Sequence, residues 1–299
     1  MLKAIFFGNF FYGICAVALS IETNVQQSYP LNTIQYYLFL FVATTIFYNK
    51  AYISTTTTDA TNKRSLWFLT HRKRIITTQA LLSVILIISV LFLAKDLGKN
   101  LLHMPSIQWL LLFSFPIIAA SYYGTASIGI KNYSLRNTGW MKAFVIGLVW
   151  AGVVCIYPIL FQAIKYNHPY AITLFGFLLF IKNFLYITVL CIMFDIKDYA
   201  TDYNRQLKTF VVRVGLRKTI FYILLPLCIF GFSSFLIYSI IYHFPVLRIL
   251  INAIPFVLLI IVAYSMYRRK SILYYLAIID GLMLVKAICG IIGSTLTNN

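Results

Sequence analysis

The sequence predicts an all-α polytopic membrane protein, a bundle of about nine transmembrane helices, and three observations carry that reading. Of the 299 residues, 61% are hydrophobic and only 11% charged, against about 25% charged in a soluble domain, so the chain cannot cover a water-facing surface. The apolar residues fall in long runs such as ALLSVILIISVLFLA at 80–94, which lack the alternation of barrel strands. The basic residues recur on alternate sides of those runs. Together these exclude an ordinary soluble enzyme, a disordered tail and a secreted disulfide scaffold. Nine spans of about 20 residues use roughly 180 positions, which leaves loops but no extramembrane domain. Residues 1–299 are therefore read as one transmembrane domain.

The expected spans, in order, are 4–20, 34–48, 75–94, 108–126, 143–163, 171–194, 219–241, 247–266 and 272–294. The opening MLKAIFFGNFFYGICAVALS lacks a small-x-small cleavage site after its apolar run, so it reads as the first span and not a signal peptide. Pro158 and Pro226 lie inside the fifth and seventh spans, without a matched pair of helix breaks. Cys15, Cys155, Cys191, Cys228 and Cys289 each sit alone in an apolar run and read as small buried hydrophobes. Lys182 and Asn183 fall within the sixth span, and Asp280 and Lys286 within the ninth. An ionisable group at such depth faces a partner or a cavity.

The net charge of +18 points to anionic membrane lipid and not to nucleic acid, because the basic residues sort by side. Lys50, Lys63, Arg64, Arg72, Lys73 and Arg74 follow span two, and Lys131, Arg136 and Lys142 follow span four. Lys197, Arg205, Lys208, Arg213, Arg217 and Lys218 follow span six, and Arg268, Arg269 and Lys270 follow span eight. The opposite side holds only Lys95, Lys99, Lys165 and Arg248. By the positive-inside rule the N-terminus is cytoplasmic and the C-terminus outside, as in a bacterial cytoplasmic membrane. Long cytoplasmic loops are expected near 49–74 and 195–218. Their separation by four spans hints at duplication of a four-helix unit.

The acids are few and clustered. Of seven, Asp195, Asp198 and Asp202 lie in FDIKDYATDYNRQLKTF. On a helix they would fall within an arc of about 60°, and Gln206 and Thr209 would extend the stripe. A carboxylate stripe at a membrane mouth suits a diphosphate bridged through Mg²⁺, which takes one or two carboxylates plus waters and phosphates. The alternative is a solvated amphipathic loop whose acids pair with neighbouring Lys and Arg.

These residues carry a resemblance. Asp198-x3-Asp202-x3-Gln206-x2-Thr209-x5-Gly215, preceded by Phe194-Asp195-Ile196-Lys197, resembles the second aspartate-rich motif of the UbiA superfamily of intramembrane prenyltransferases. Leu135-Arg136, Gly139-Trp140-Met141-Lys142 and the apolar span with Trp150 are similar to a further cytoplasmic crossing of that family. The resemblance implies a nine-helix fold with a cytoplasmic mouth. It also implies transfer of a prenyl group from a prenyl diphosphate to an aromatic or other lipophilic acceptor, with Mg²⁺. Asp198 and Asp202 would be catalytic, and Asp195, Asp198 and Asp202 would hold the metal. Asn49, Lys50, Arg64, Arg136 and Lys142 would bind substrate; Lys182, an intramembrane charge, either lines the lipid or acceptor pocket and binds substrate or is paired structurally.

The chain departs from the family in its first motif, N-x3-D-x3-D. Tyr48-Asn49 is in place, but Ile53 and Thr57 stand where acids belong, Asp59 comes two residues late, and Gln206 replaces a glycine in the second motif. Either a single Mg²⁺ suffices, with Lys or Arg holding the remaining phosphate charge, or the chain is a non-catalytic relative that binds an isoprenoid or lipid. A small-solute transporter is the third reading, suggested by Lys182 and Asp280.

Overall fold

The computed structural model describes residues 2–53, 63–123, 139–204, 206–268 and 270–296. Helix α1 (Leu2–Phe7) breaks at Gly8–Asn9 and restarts as α2 (Phe10–Gln26). Then come α3 (Ile34–Ile53), α4 (Lys63–Thr70), α5 (Arg72–Leu97) and α6 (Ser106–Tyr123). Helix α7 (Met141–Ala151) passes through a π-helical turn, Gly152–Ile156, into α8 (Tyr157–Lys165). The long α9 (Leu174–Lys197) is followed by the short α10 (Tyr199–Asn204), α11 (Phe210–Val214) and α12 (Leu216–Thr219). A second π turn, Ile220–Leu224, leads into α13 (Leu225–Ile241), which precedes α14 (Val246–Ser265). Last, α15 (Ile272–Tyr274) enters a third π turn, Tyr275–Ile279, and continues as α16 (Gly281–Thr295). Among the described residues there is no strand.

Two of the π turns have a visible cause. Each ends just before a proline, Pro158 or Pro226. Proline donates no backbone hydrogen bond and crowds the carbonyl four residues earlier, so the ladder widens there. The helices continue through these prolines without breaking.

Six helical stretches are long and apolar enough to cross a membrane: Arg72–Leu101, Met141–Lys165, Leu174–Lys197, Leu216–Ile241, Val246–Ser265 and Ile272–Thr295. The chain is thus a helical membrane protein, with six such stretches where the sequence suggests nine. The other three expected spans are helical but fall short for identifiable reasons. Phe10–Gln26 has 17 residues and carries Glu22, Asn24 and Gln26. Ile34–Ile53 is long enough but includes Gln35, Asn49, Lys50 and several tyrosines. The apolar stretch of α6 is also short.

Several expected boundaries move. The segment expected at 4–20 is interrupted at Gly8–Asn9 and extends past Glu22. The loop expected at 49–74 is helical up to Ile53 and again from Lys63, and 195–218 is mostly short helices. Thr57, Asp59, Lys131, Arg136, Arg205 and Arg269 lie outside the described residues.

Helix α9 lies centrally, packed on α7 and α13, while α2 packs on α3 and α16. The hydrophobic windows of Met141–Lys165 and Leu174–Lys197 are 61% and 56% buried, against 17% for Arg72–Leu101. The outer helices remain apolar on their exposed faces, as with Leu81, Ile87 and Leu91 on α5, which is what a lipid solvent requires. Close approach of α7 to α9 depends on Gly147, where any Cβ would collide with Thr188. This is the small-residue contact by which membrane helices pack, and it sets the start of α7 beside the end of α9.

Candidate functional site

The end of α9 builds the acidic side of the site. Asp195 is buried on its last turn, Asp198 caps its C-terminus, and Asp202 lies in the short α10. The chain turns between the two helices, so the three carboxylates do not form one stripe. Asp195 and Asp202 converge, whereas Asp198 turns to its neighbour Lys197 at 2.9 Å with its side chain 45% exposed.

Helix α10 is closed by a Schellman turn. Leu207 N–H donates to the Asp202 carbonyl at 2.9 Å and Gln206 N–H to the Tyr203 carbonyl at 3.0 Å. That turn places Gln206 at φ 55°, in the left-handed region that glycine occupies at such helix ends. The same segment meets the entry to α7. Gly139 has φ 65°, and a Cβ there would lie 2.6 Å from the Lys208 carbonyl oxygen. Only glycine permits that approach, and it delivers Lys142 to the acids.

Lys142 is the cation at the centre. Its Nζ lies 2.8 Å from Asp195 Oδ1 and 3.1 Å from Asp202 Oδ2. Asp195 Oδ2 is buried without a hydrogen-bond partner, so this carboxylate keeps one oxygen unused.

Across the site, Arg64 from α4 serves the broken first helix. Its guanidinium donates to the Phe7 carbonyl at 3.0 and 3.3 Å, to the Phe6 carbonyl at 3.4 Å and to Asn9 Oδ1. It also stacks 4.4 Å from the centre of the Tyr52 ring. A helix end leaves carbonyls without partners, and the arginine fork satisfies them. Asn9, at φ 61°, donates in turn to Asn49 Oδ1 at 2.9 Å.

These groups surround a cavity of about 1230 Å³, lined among others by Asn9, Tyr12, Tyr48, Arg64, Lys142, Trp150, Asp195, Asp198, Asp202 and Asp280. Most of the wall is apolar or aromatic. Tyr12 stacks on Tyr48 with ring centres 4.4 Å apart, and Trp150 Nε1 donates to the Tyr48 hydroxyl at 2.6 Å. Asp280 also lines this cavity, close to Tyr12 and Met283.

The site residues expected from sequence therefore divide. Asp195, Asp198, Asp202, Lys142 and Arg64 share one cavity. Asn49 supports Asn9 from behind without lining it, and Lys50 is an exposed residue in the last turn of α3. Arg136 lies outside the described residues.

Lys182 takes a partner and does not line this cavity. It is buried away from the cavity, 3.3 Å from Glu22 Oε1 and 3.3 Å from Gln26 Oε1. Glu22 also receives Lys286 at 2.8 and 3.0 Å, and Gln26 donates to Asn252 Oδ1 at 3.3 Å. A buried ammonium is costly without a carboxylate, and Lys182 finds one in Glu22.

Sequence reasoning did not place Asp280 or Tyr12 in the site. A single acid in an apolar span was the available signal for Asp280; nothing distinguished Tyr12 among 22 tyrosines.

As to metal, no group of three or more His, Cys, Asp and Glu among the described residues is arranged to hold an ion. Asp195 keeps one oxygen without a hydrogen-bond partner, and Asp198 is half-exposed and paired with Lys197.

Comparison with family models, curated proteins and solved structures returns no match to this chain.

Proposed function

We propose that the chain is a UbiA-like intramembrane prenyltransferase whose cavity receives a prenyl diphosphate and a lipophilic acceptor. On this reading it crosses the membrane nine times, with the N-terminus and the mouth of the cavity on the cytoplasmic side of a bacterial cytoplasmic membrane. One observation carries the proposal: a cavity of about 1230 Å³ has aromatic walls and a charged end containing Asp195, Asp198, Asp202 and Lys142. Single-ligand pockets span about 300–1,000 Å³, so two substrates have room. Gln206 adds support, since it holds a left-handed backbone where the resembled motif has glycine.

The roles follow from chemistry. Asp195 and Asp198 would hold Mg²⁺, which when bound neutralises diphosphate charge and favours its departure. Lys142 keeps Asp195 and Asp202 in register and offers its ammonium to the outer phosphate. The Tyr12, Tyr48 and Trp150 rings present electron-rich faces to positive charge developing at the allylic carbon. The apolar wall excludes water that would otherwise capture that carbon.

A second reading, a non-catalytic binder of an isoprenoid or lipid, is favoured by Lys142. It already neutralises two of the three acids. The test is binding of radiolabelled farnesyl diphosphate to purified protein in nanodiscs, with Mg²⁺ or with chelator. The catalytic reading expects saturable binding that requires Mg²⁺ and falls at least about tenfold in Asp195→Asn, the loss of one charged ligand. Binding indifferent to Mg²⁺ supports the binder. Absence of binding removes both.

A further inference from the structure

Asp280 stands apart from the charge network at the cavity mouth. It is 3% exposed and lines the cavity wall. Among the described residues it makes no ion pair. The groups around it come from three directions. Tyr12, which neighbours it on the cavity wall, and Cys15, whose Sγ lies 3.8 Å from its carbonyl oxygen, belong to α2. Arg64 belongs to α4, while Lys197 and Cys191 come from α9. Arg64 is committed to the Phe6 and Phe7 carbonyls, and Lys197 to Asp198.

A buried carboxylate is costly unless it meets a charge or hydrogen-bond donors. Here no charged partner meets it among the described residues, and it lies on the wall of a cavity. The backbone singles out the same residue. The π turn Tyr275–Ile279 delivers the chain to Asp280, and unlike the other two it has no proline to cause it. Widened turns of this kind concentrate at functional positions.

We infer that Asp280 is the acceptor-side group of the cavity: it binds the hydroxyl of a lipophilic alcohol or phenol and takes its proton as the prenyl group is transferred. This rests on the prenyltransferase reading for the reaction, though not for the recognition of the hydroxyl. In the step, the C1–O bond of the prenyl diphosphate breaks and its electron pair leaves on diphosphate. A lone pair of the acceptor oxygen forms the new C1–O bond. The hydroxyl proton passes to the Asp280 carboxylate, so the products are a prenyl ether, diphosphate and a protonated Asp280.

The experiment uses the full chain in nanodiscs, with tetramethylhydroquinone and its dimethyl ether as probes. The wild type is expected to bind the hydroquinone at least about tenfold more tightly than the ether, the value of a hydrogen bond to a charged group. Asp280→Leu should reduce that preference below about threefold while farnesyl diphosphate binding is unchanged. Asp280→Asn, which keeps the shape, should lower kcat for prenyl transfer by about a hundredfold or more, as loss of a general base does, and guards against misfolding of the leucine variant. A wild type without the preference, a preference that survives in Asp280→Leu, or an unchanged kcat in Asp280→Asn overturns the inference, whatever becomes of diphosphate binding. If no variant turns over but the preference is present and depends on Asp280, the hydroxyl site stands and the prenyltransferase reading falls.

Discussion

Lys142 Nζ lies 2.8 Å from Asp195 Oδ1, and this contact ties the start of α7 to the end of α9. The same ammonium reaches Asp202 at 3.1 Å. One cation therefore sets the position of two of the three acids that give the cavity its charged end. Removing it leaves two largely buried carboxylates facing each other.

Lys142→Met should therefore destabilise the protein by about 3 kcal/mol, the lower end for breaking a buried pair, since the lysine side chain keeps 14% exposure. Adding Asp195→Asn and Asp202→Asn should recover most of the loss, because the repulsion disappears with the charges. Thermal unfolding in detergent measures both. A single variant as stable as the wild type would show that the acids are compensated by something other than Lys142.

Gln206 occupies a left-handed conformation at φ 55°, which costs a residue with a Cβ about 1 kcal/mol. Gln206→Gly should raise stability by up to that amount, less the extra freedom glycine brings to the unfolded chain. Its side chain is exposed, so no packing is lost. Chemical denaturation that finds the variant less stable would mean the glutamine contributes a contact worth more than the strain.

The fold class was legible because lipid solvent writes itself into composition, and the runs of apolar residues fall where the helices lie. The count of crossings was less so. A polar helix such as Phe10–Gln26 can hide Glu22 and Gln26 only because Lys182, Lys286 and Asn252 arrive from distant segments, and no local pattern announces such partners. The acids of the site were visible through their clustering, and five of the expected residues do share the cavity. The sense of their arrangement was not visible, because the helix ends at Asp198 and a 3.6-residue period no longer relates Asp195 to Asp202. Asp280 was seen as an isolated intramembrane charge, and its place on the cavity wall depends on tertiary packing against α2.

Arg64 closes the break between α1 and α2 by donating to the Phe6 and Phe7 carbonyls and to Asn9. Arg64→Met should leave the Phe7 carbonyl and Asn9 Oδ1 without this donor, at about 1–3 kcal/mol for each buried group that finds no water, while the Phe6 carbonyl keeps the Asn9 N–H at 3.4 Å. Arg64→Lys should recover little, because an ammonium lacks the planar fork that reaches several acceptors together. Hydrogen exchange at Phe10 to Tyr12 reports the effect, and faster exchange is expected in both variants. Unchanged exchange in Arg64→Met would show that the break is held by Asn9 and Asn49 alone.

Glu22, Lys182 and Lys286 place one carboxylate and two ammonium groups in a region no more than 2% exposed. The two lysines are not equivalent. Lys286 reaches both oxygens of Glu22, at 3.0 and 2.8 Å, whereas Lys182 stands 3.3 Å from one oxygen and 3.3 Å from the neutral Gln26. Losing Glu22 strands both cations, so Glu22→Gln should cost about 3–5 kcal/mol, as other broken buried pairs do. Lys286→Met should cost nearly as much, because it leaves the carboxylate with its weaker partner. Lys182→Met leaves a balanced pair and removes the surplus charge, so it should cost least of the three. Lys182 also lies about 20 Å along α9 from Asp195, at 1.5 Å per residue. On the proposed function, farnesyl diphosphate binding by Lys182→Met should then match the wild type, because that reading places the diphosphate at the other end of the helix. Thermal unfolding ranks the three variants. Diphosphate binding by Lys182→Met that falls tenfold while its stability holds would return that lysine to the substrate site.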